Sequence, residues 1–300
     1  MRILVTGASG QVGGALVTAL DGLGPVIATD RAMLDLAQPE AIAAVLDRIA
    51  PDLIINPAAY TAVDQAEDEP ALAQRVNAQA PGIMAQWAAH HDVPLIHFST
   101  DYVFGGDGER PWREDDATAP LSVYGRSKLA GEREIAAAGG CSLILRTSWV
   151  YAAEGKNFLR TIVRLAREQD ELRIVADQIG APTSARLLAD IVARMLARGR
   201  DELRARIGQA QGVLHVSAAG EASWQQFASA IVEGLKSRGV RLAVARVVPI
   251  RSEDYPTRAQ RPRNSRLDLR RLQQVFGIET PSWEQALAPE LDQVARALVR

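Results

Sequence analysis

The chain has 300 residues, 47% of them hydrophobic and 23% charged, with a formal net charge of −2 and a single cysteine, Cys141. That balance is ordinary for a soluble globular protein; it offers no basic field for nucleic acid or an anionic membrane surface, and one cysteine builds no disulfide framework. No apolar run is long enough to span a bilayer, and the chain opens directly in strand-like sequence without the regions of a secretory signal, so a cytoplasmic location is expected.

Residues 2–6 are β-type and read as a first strand. Gly7, Gly10 and Gly13 follow, then an apolar segment with helical spacing at Val12, Leu16 and Leu20. A strand that turns sharply into a helix presents backbone N–H groups and a helix dipole to a phosphate. Gly7 suits the tight turn, Gly10 the approach of a pyrophosphate to the backbone, and Gly13 the close packing of helix on sheet. The spacing is GxxGxxG rather than the usual GxGxxG, and glycine triplets also occur in ordinary turns; the strand before and the helix after favour a dinucleotide site.

Further buried strands are predicted at 26–29, 53–56, 95–99 and 143–147, with helices at 39–49, 69–90 and 123–138 between them. Strands alternating with helices imply βαβ units and an α/β, doubly wound parallel sheet of Rossmann-like type. Ligands of such sheets bind beyond the carboxyl ends of the strands. The second strand runs to Asp30, whose carboxylate could accept from an adenosine ribose and favour NAD; Arg31, next to it, could pair with a 2′-phosphate and favour NADP. After about residue 150 the pattern loosens into helices at 157–169, 184–199, 223–237 and 283–298, a short strand at 212–216, and a polar loop at 251–263. The expected organisation is a dinucleotide-binding domain, 1–150, and a smaller mixed α/β substrate lobe, 151–300, some of whose segments return to the first domain.

The sharpest chemical signal is Tyr124-Gly-Arg-Ser-Lys128. A Tyr and a Lys four apart on a helix share one face. A phenol is a poor acid–base catalyst at neutral pH, and a nearby ammonium lowers its pKa, so Lys128 is expected to acidify Tyr124 and to hydrogen-bond a ribose. The fourth strand runs into Ser99-Thr100-Asp101-Tyr102, where a hydroxyl could hold a substrate oxygen against Tyr124. The bland alternatives are a tyrosine packed on the core and an ordinary Ser/Thr/Asp turn.

With these residues the chain resembles the extended short-chain dehydrogenase/reductases. Five segments sharpen the likeness: NPAAYTAVD (56–64), STDYVF (99–104), TSWVY (147–151), DQIGAPT (177–183) and RPRNSRL (261–267). Together, in order and over nearly the whole chain, they resemble the dTDP-4-dehydrorhamnose reductase family. The resemblance implies that Gly10, Gln11 and Val12 lie under the cofactor pyrophosphate and Asp30 near the adenosine. It places Asp35, Leu36, Ala59, Tyr60 and Thr61 on the adenine and phosphate side and Phe98 near the nicotinamide. Thr100, Asp101 and Tyr102 would meet the sugar, Tyr124 would give the proton, Trp149 would hold the substrate, and Arg261 would grip the diphosphate. Some members bind magnesium through glutamates at a dimer interface; Ala15 and Arg186 stand at those places here, so no metal is expected, and a monomer and a homodimer both stay open.

The function implied is reduction of dTDP-4-dehydro-L-rhamnose with NADPH or NADH, for dTDP-rhamnose and surface polysaccharide synthesis. A redox-neutral nucleotide-sugar epimerase or dehydratase is a second reading; a dehydratase would want an acidic residue after Asp101, where Tyr102 stands. A third is a non-catalytic regulatory subunit of methionine adenosyltransferase, which would not need the Tyr124/Lys128 pair.

Overall fold

A computed structural model describes residues 1–299. The first half alternates β1 (Ile3–Val5), α1 (Gln11–Ala19), β2 (Val26–Ala28), α2 (Ile42–Ile49), β3 (Leu53–Asn56), α3 (Ala80–His90), β4 (Leu95–Thr100), α4 (Val123–Ala138) and β5 (Ser142–Thr147). The second half carries α5 (Phe158–Glu168), α6 (Ala185–Leu196), α7 (Arg200–Gln209), β6 (Val213–His215), α8 (Trp224–Ser237), α9 (Arg270–Phe276) and α10 (Trp283–Val299).

Six parallel strands form one sheet in the order β6-β5-β4-β3-β1-β2. Successive side chains on a strand face opposite ways, and the two faces here have separate cores. Ile3, Val5, Ile55, Ile96, Phe98 and Leu145 pack with α1, α6, α7 and α9, while Leu4, Ile54, Leu95 and Ile144 pack with α2 and α3. A sheet covered on both faces needs continuous apolar strands, as these are. Each Leu or Ile fully buried contributes about 1.5–3 kcal/mol relative to exposure. From β1 the chain moves to β2 on one side and then to β3 on the other, and a crevice opens at that reversal, beyond the strands' carboxyl ends.

The second half does two jobs. β6 joins the main sheet beside β5, and α6 packs its Leu188, Ile191 and Val192 into the core beneath α1. A separate core forms from α5, α8 and α10 around Tyr151, Phe227 and Trp283. On α5, Leu159, Ile162, Val163 and Ala166 are buried, the spacing of one helical face.

The predicted 69–90 helix contains a departure. Pro70–Gln74 is α-helical, Arg75–Gln79 is a π turn, and α3 resumes at Ala80. Pro81 has no N–H to give the carbonyl of Asn77, and the wider turn absorbs that break. The freed Asn77 carbonyl lies so close to α4 that a Cβ on Gly131 would sit 2.0 Å from it. The predicted 184–199 helix ends earlier, at Leu196, and a parallel strand pair, Glu171–Val175 with Arg246–Ile250, was not predicted.

Candidate active site

The phosphate cradle is built by collision limits. Gly7 has φ +57°, a left-handed conformation that favours glycine, and a Cβ on Gly13 would lie 2.2 Å from the Gly7 carbonyl oxygen. No side chain caps the start of α1, so its first-turn amides face the crevice without a competing protein acceptor. Pro57, Ala58, Ala59 and Thr61 form the opposite wall.

The 57–61 wall is fastened from an unexpected place. Tyr60 N donates to Asn77 Oδ1 (2.8 Å), and Asn77 Nδ2 lies within 3.0 Å of both Tyr60 O and Ser127 Oγ, which the amide reaches at 2.9 Å. Asn77, in the π turn, thus ties the cofactor wall to the helix that carries Tyr124 and Lys128. The Tyr60 hydroxyl itself turns away and donates to Glu69 (2.6 Å).

Tyr124 and Lys128 project from the first turns of α4. Ser122 caps that helix, accepting from Gly125 N at 3.1 Å, and a Cβ on Gly125 would meet the Tyr102 carbonyl at 2.3 Å. The close approach sets Tyr124 beside the end of β4, where its ring packs edge to face on Tyr102 with centroids 5.7 Å apart. Thr100 accepts from Tyr102 N (3.2 Å) and donates to Asp101 (3.1 Å).

The electrostatics correct one expectation. Burial pushes the Tyr124 phenol up to about 12, the Thr100 hydroxyl beside it acts the other way, and Asp101 raises it further. Lys128 does not acidify it. The Lys128 ammonium is fully buried and spent on other acceptors: it donates to Phe98 O at 2.7 Å and lies 3.0 Å from His97 Nε2. Burial in turn pushes Lys128 down to about 8. Asp101 is pushed up to about 7 by burial, against hydrogen bonds from Ser265 and Thr100, and its Oδ2 has no partner among the described residues.

One cavity of about 1140 Å³ unites these parts. Of the predicted site residues, Gly7, Gly10, Gln11, Val12, Gly13, Ala59, Thr61, Phe98, Thr100, Asp101, Tyr102, Tyr124, Lys128 and Trp149 line it. Asp30, Arg31, Asp35, Leu36, Tyr60 and Arg261 do not. Asp30 Oδ1 accepts from the Ala32 and Met33 amides, Arg31 pairs with Asp35 at 3.4 Å, and Leu36 is buried in the core under α2. Arg261 forks onto Asp64, 2.7 Å away, and holds that carboxyl below its usual range.

The far wall joins Trp149 to residues that sequence reasoning did not single out, Trp224 and the segment 152–157. Trp149 has φ +48°, rare for a side chain of this size, and stacks on Trp224 at 3.6 Å with planes 8° apart. A Cβ on Gly180 would sit 2.5 Å from the Trp149 indole. The cavity-lining segment 152–157 carries Lys156 and is pinned at both ends: Ala153 N donates to Glu290 (2.7 Å) on α10, and Asn157 Nδ2 donates to Gln11 Oε1 (2.8 Å) on α1. Arg186, at one position where the family's carboxylates were expected to be missing, pairs with Glu290 at 3.0 Å. Among the described residues no group of three or more His, Cys, Asp or Glu side chains is placed to hold a metal.

The residues present suit a bound dinucleotide: a cradle that a Cβ would fill, an uncapped helix start, and a long cavity leading from it to Tyr124. The family model described as the RmlD substrate binding domain matches residues 1–296. A dTDP-4-dehydrorhamnose reductase of Burkholderia thailandensis is 47% identical, over 96% of this chain and 97% of that one. The crystal structure of a dTDP-4-dehydrorhamnose reductase from Clostridium acetobutylicum superposes with a TM-score of 0.89 at 34% identity, covering 98% of this chain and 99% of that chain. A dTDP-4-dehydrorhamnose reductase from Bacillus anthracis, crystallised with NADP, gives 0.87 at 34% identity, covering 97% and 99%. This chain belongs to the RmlD substrate binding domain family.

Proposed function

We infer that the protein is a dTDP-4-dehydrorhamnose reductase, using NADPH or NADH to reduce the C4 ketone of dTDP-4-dehydro-L-rhamnose to dTDP-L-rhamnose. The observation that carries the reading is Tyr124, Thr100 and Lys128 on one cavity wall, at the end of a glycine cradle, in a chain whose full-length relatives bear that name. The residues 1–150 serve the dinucleotide and most of 151–300 the sugar nucleotide. No helix among the described residues is long and apolar enough to cross a membrane.

The bound nicotinamide supplies the hydride. The protein supplies position and protons. Gln11 and Val12 would offer amides to a pyrophosphate that the bare Gly10 lets approach, its own amide being held by the Gly7 carbonyl at 2.9 Å, and Lys128 would offer its remaining N–H to a ribose hydroxyl. Thr100 orients the ketone oxygen, and Tyr124 Oη gives its proton to the alkoxide as the carbonyl is reduced. A phenol held near 12 keeps that proton at neutral pH and is a ready donor to a strongly basic alkoxide. Trp149 and Trp224 form an aromatic wall for the sugar nucleotide, and Asp101, beside Thr100, faces the sugar.

The test is a dihydronicotinamide oxidation assay with dTDP-4-dehydrorhamnose and a panel of other dTDP-4-keto sugars, run with each cofactor. Stoichiometric oxidation with the rhamnose precursor supports the reading; product formed without net oxidation would assign a redox-neutral isomerase instead.

A further inference from the structure

A chain of buried polar side chains runs under Lys128, and none of its inner members touches the cavity. It crosses three neighbouring strands. Thr6 follows β1, Asn56 ends β3, and His97 lies in β4; all three are at most 1% exposed. Thr6 Oγ1 donates to Asn56 Oδ1 at 2.6 Å, and Asn56 Nδ2 lies 3.1 Å from His97 Nδ1. His97 Nε2 is 3.0 Å from Lys128 Nζ. The register that pairs Asn56 with His97 puts their side chains on the same face of the sheet, the face that α4 covers.

A count of protons decides the roles. An imidazole buried this completely, beside an ammonium, is held neutral, so it has one N–H and one acceptor. Lys128 has only protons to give, so Nε2 is the acceptor and Nδ1 carries the hydrogen. Nδ1–H then faces the Asn56 amide, which meets it with Oδ1 by turning over from the orientation in which Oδ1 accepts from Thr6 and Nδ2 faces the ring. Of the three Lys128 protons, one goes to His97 and one to the Phe98 carbonyl, leaving one for the cavity that Lys128 lines.

We propose that His97 is a positioning residue for the cofactor: with Phe98 O it fixes the Lys128 ammonium as a tripod whose third N–H holds a hydroxyl of the dinucleotide. This rests on the reductase reading only in taking the ligand to be a nicotinamide dinucleotide. Without the imidazole acceptor, a buried four-carbon side chain regains rotamers and its ammonium turns to whatever acceptor it finds, so cofactor affinity falls while the fold persists.

Two amide substitutions separate positioning from simple polar filling. In His97→Gln the amide oxygen can stand near the place of Nε2; in His97→Asn it reaches only the place of Nδ1. NADPH binding is followed by calorimetry, without substrate. H97Q is expected to bind within about threefold of the parent and H97N roughly tenfold more weakly, the size of effect seen when a group that orients a ligand-holding residue is lost. The KM for NADPH should rise in the same proportion in H97N, with a smaller change in kcat. An H97N protein that binds NADPH like the parent, or an H97Q protein that weakens as far as H97N, overturns the proposal. The unmutated protein gives an independent reading: a nitrogen-15 spectrum of its histidines at neutral pH should show His97 protonated at Nδ1 and bare at Nε2, and the opposite tautomer overturns it. A parent that binds NADPH but does not turn over dTDP-4-dehydrorhamnose would defeat the substrate assignment and leave these binding comparisons intact.

Discussion

In the proposed reduction Tyr124 acts as a donor rather than a base, which suits a phenol pushed up to about 12. The sequence pair suggested a phenol acidified by Lys128, but spacing along a helix shows only that two side chains share a face, not which acceptors each finds. The carbonyl of Phe98 and the ring of His97 were waiting for the ammonium, and nothing in a motif reveals them. Tyr124→Phe removes the proton donor and should lower kcat by about 10²–10⁴-fold with little change in NADPH affinity, measured by steady-state oxidation and by calorimetry. Asp101 makes a prediction in pH. Its folded pKa stands near 7, above the ordinary carboxyl value of 3.8, so the folded state holds a proton that the unfolded state has released. Stability from this group is therefore present below about pH 4 and is lost as pH rises toward 7, where folding must carry a buried charge. Asp101→Asn removes that charge, so melting of the ligand-free protein should show the variant gaining on the parent between pH 4.5 and pH 7.5, read as a growing difference in Tm.

At the scale of elements, the first half was legible because strand and helix periods are distinct and each strand is bounded by turn residues. The predicted 123–138 helix is the observed α4 to the residue, with Ser122 as its cap. The missed elements share a cause. Helix α7 is charged around most of its circumference and buries only Leu203 and Ile207, so it lacks a clear apolar stripe. The strand Arg246–Ile250 contains Pro249, which argues against a ladder, and it survives as one edge of a two-stranded pair. The site elements were half legible: the glycine turn and the ends of β4 and α4 announce themselves, whereas Asn77, Trp224 and segment 152–157 reach the site through tertiary packing alone. Gly13→Ala drives a methyl into the Gly7 carbonyl and should cost about 1–3 kcal/mol in a denaturant melt, with NADPH binding lost as the turn shifts. Asn157→Ala removes both the cap of α5 and the link to Gln11; about 1 kcal/mol of stability should go, with a raised KM for NADPH.

Over the whole molecule, the two halves of the chain are stitched together by segments that cross between them. β6 and α6 belong in sequence to the second half and in space to the main sheet, while Glu290, on α10, reaches the loop that Asn157 fastens to α1. The cavity lies along this seam, and the glycine cradle, Tyr124 and the stacked Trp149 and Trp224 all line it. Such an arrangement suits two ligands held end to end with their reacting atoms apposed, and water excluded between them.

That apposition is the central claim, and isotope transfer tests it most directly. With NADPH carrying deuterium at the transferable C4 position and dTDP-4-dehydrorhamnose as substrate, the account predicts dTDP-L-rhamnose bearing one deuterium at the sugar C4 for each cofactor oxidised, as read by mass spectrometry and proton NMR. Deuterium remaining in the cofactor while the sugar is converted, or appearing elsewhere on the ring, would contradict it.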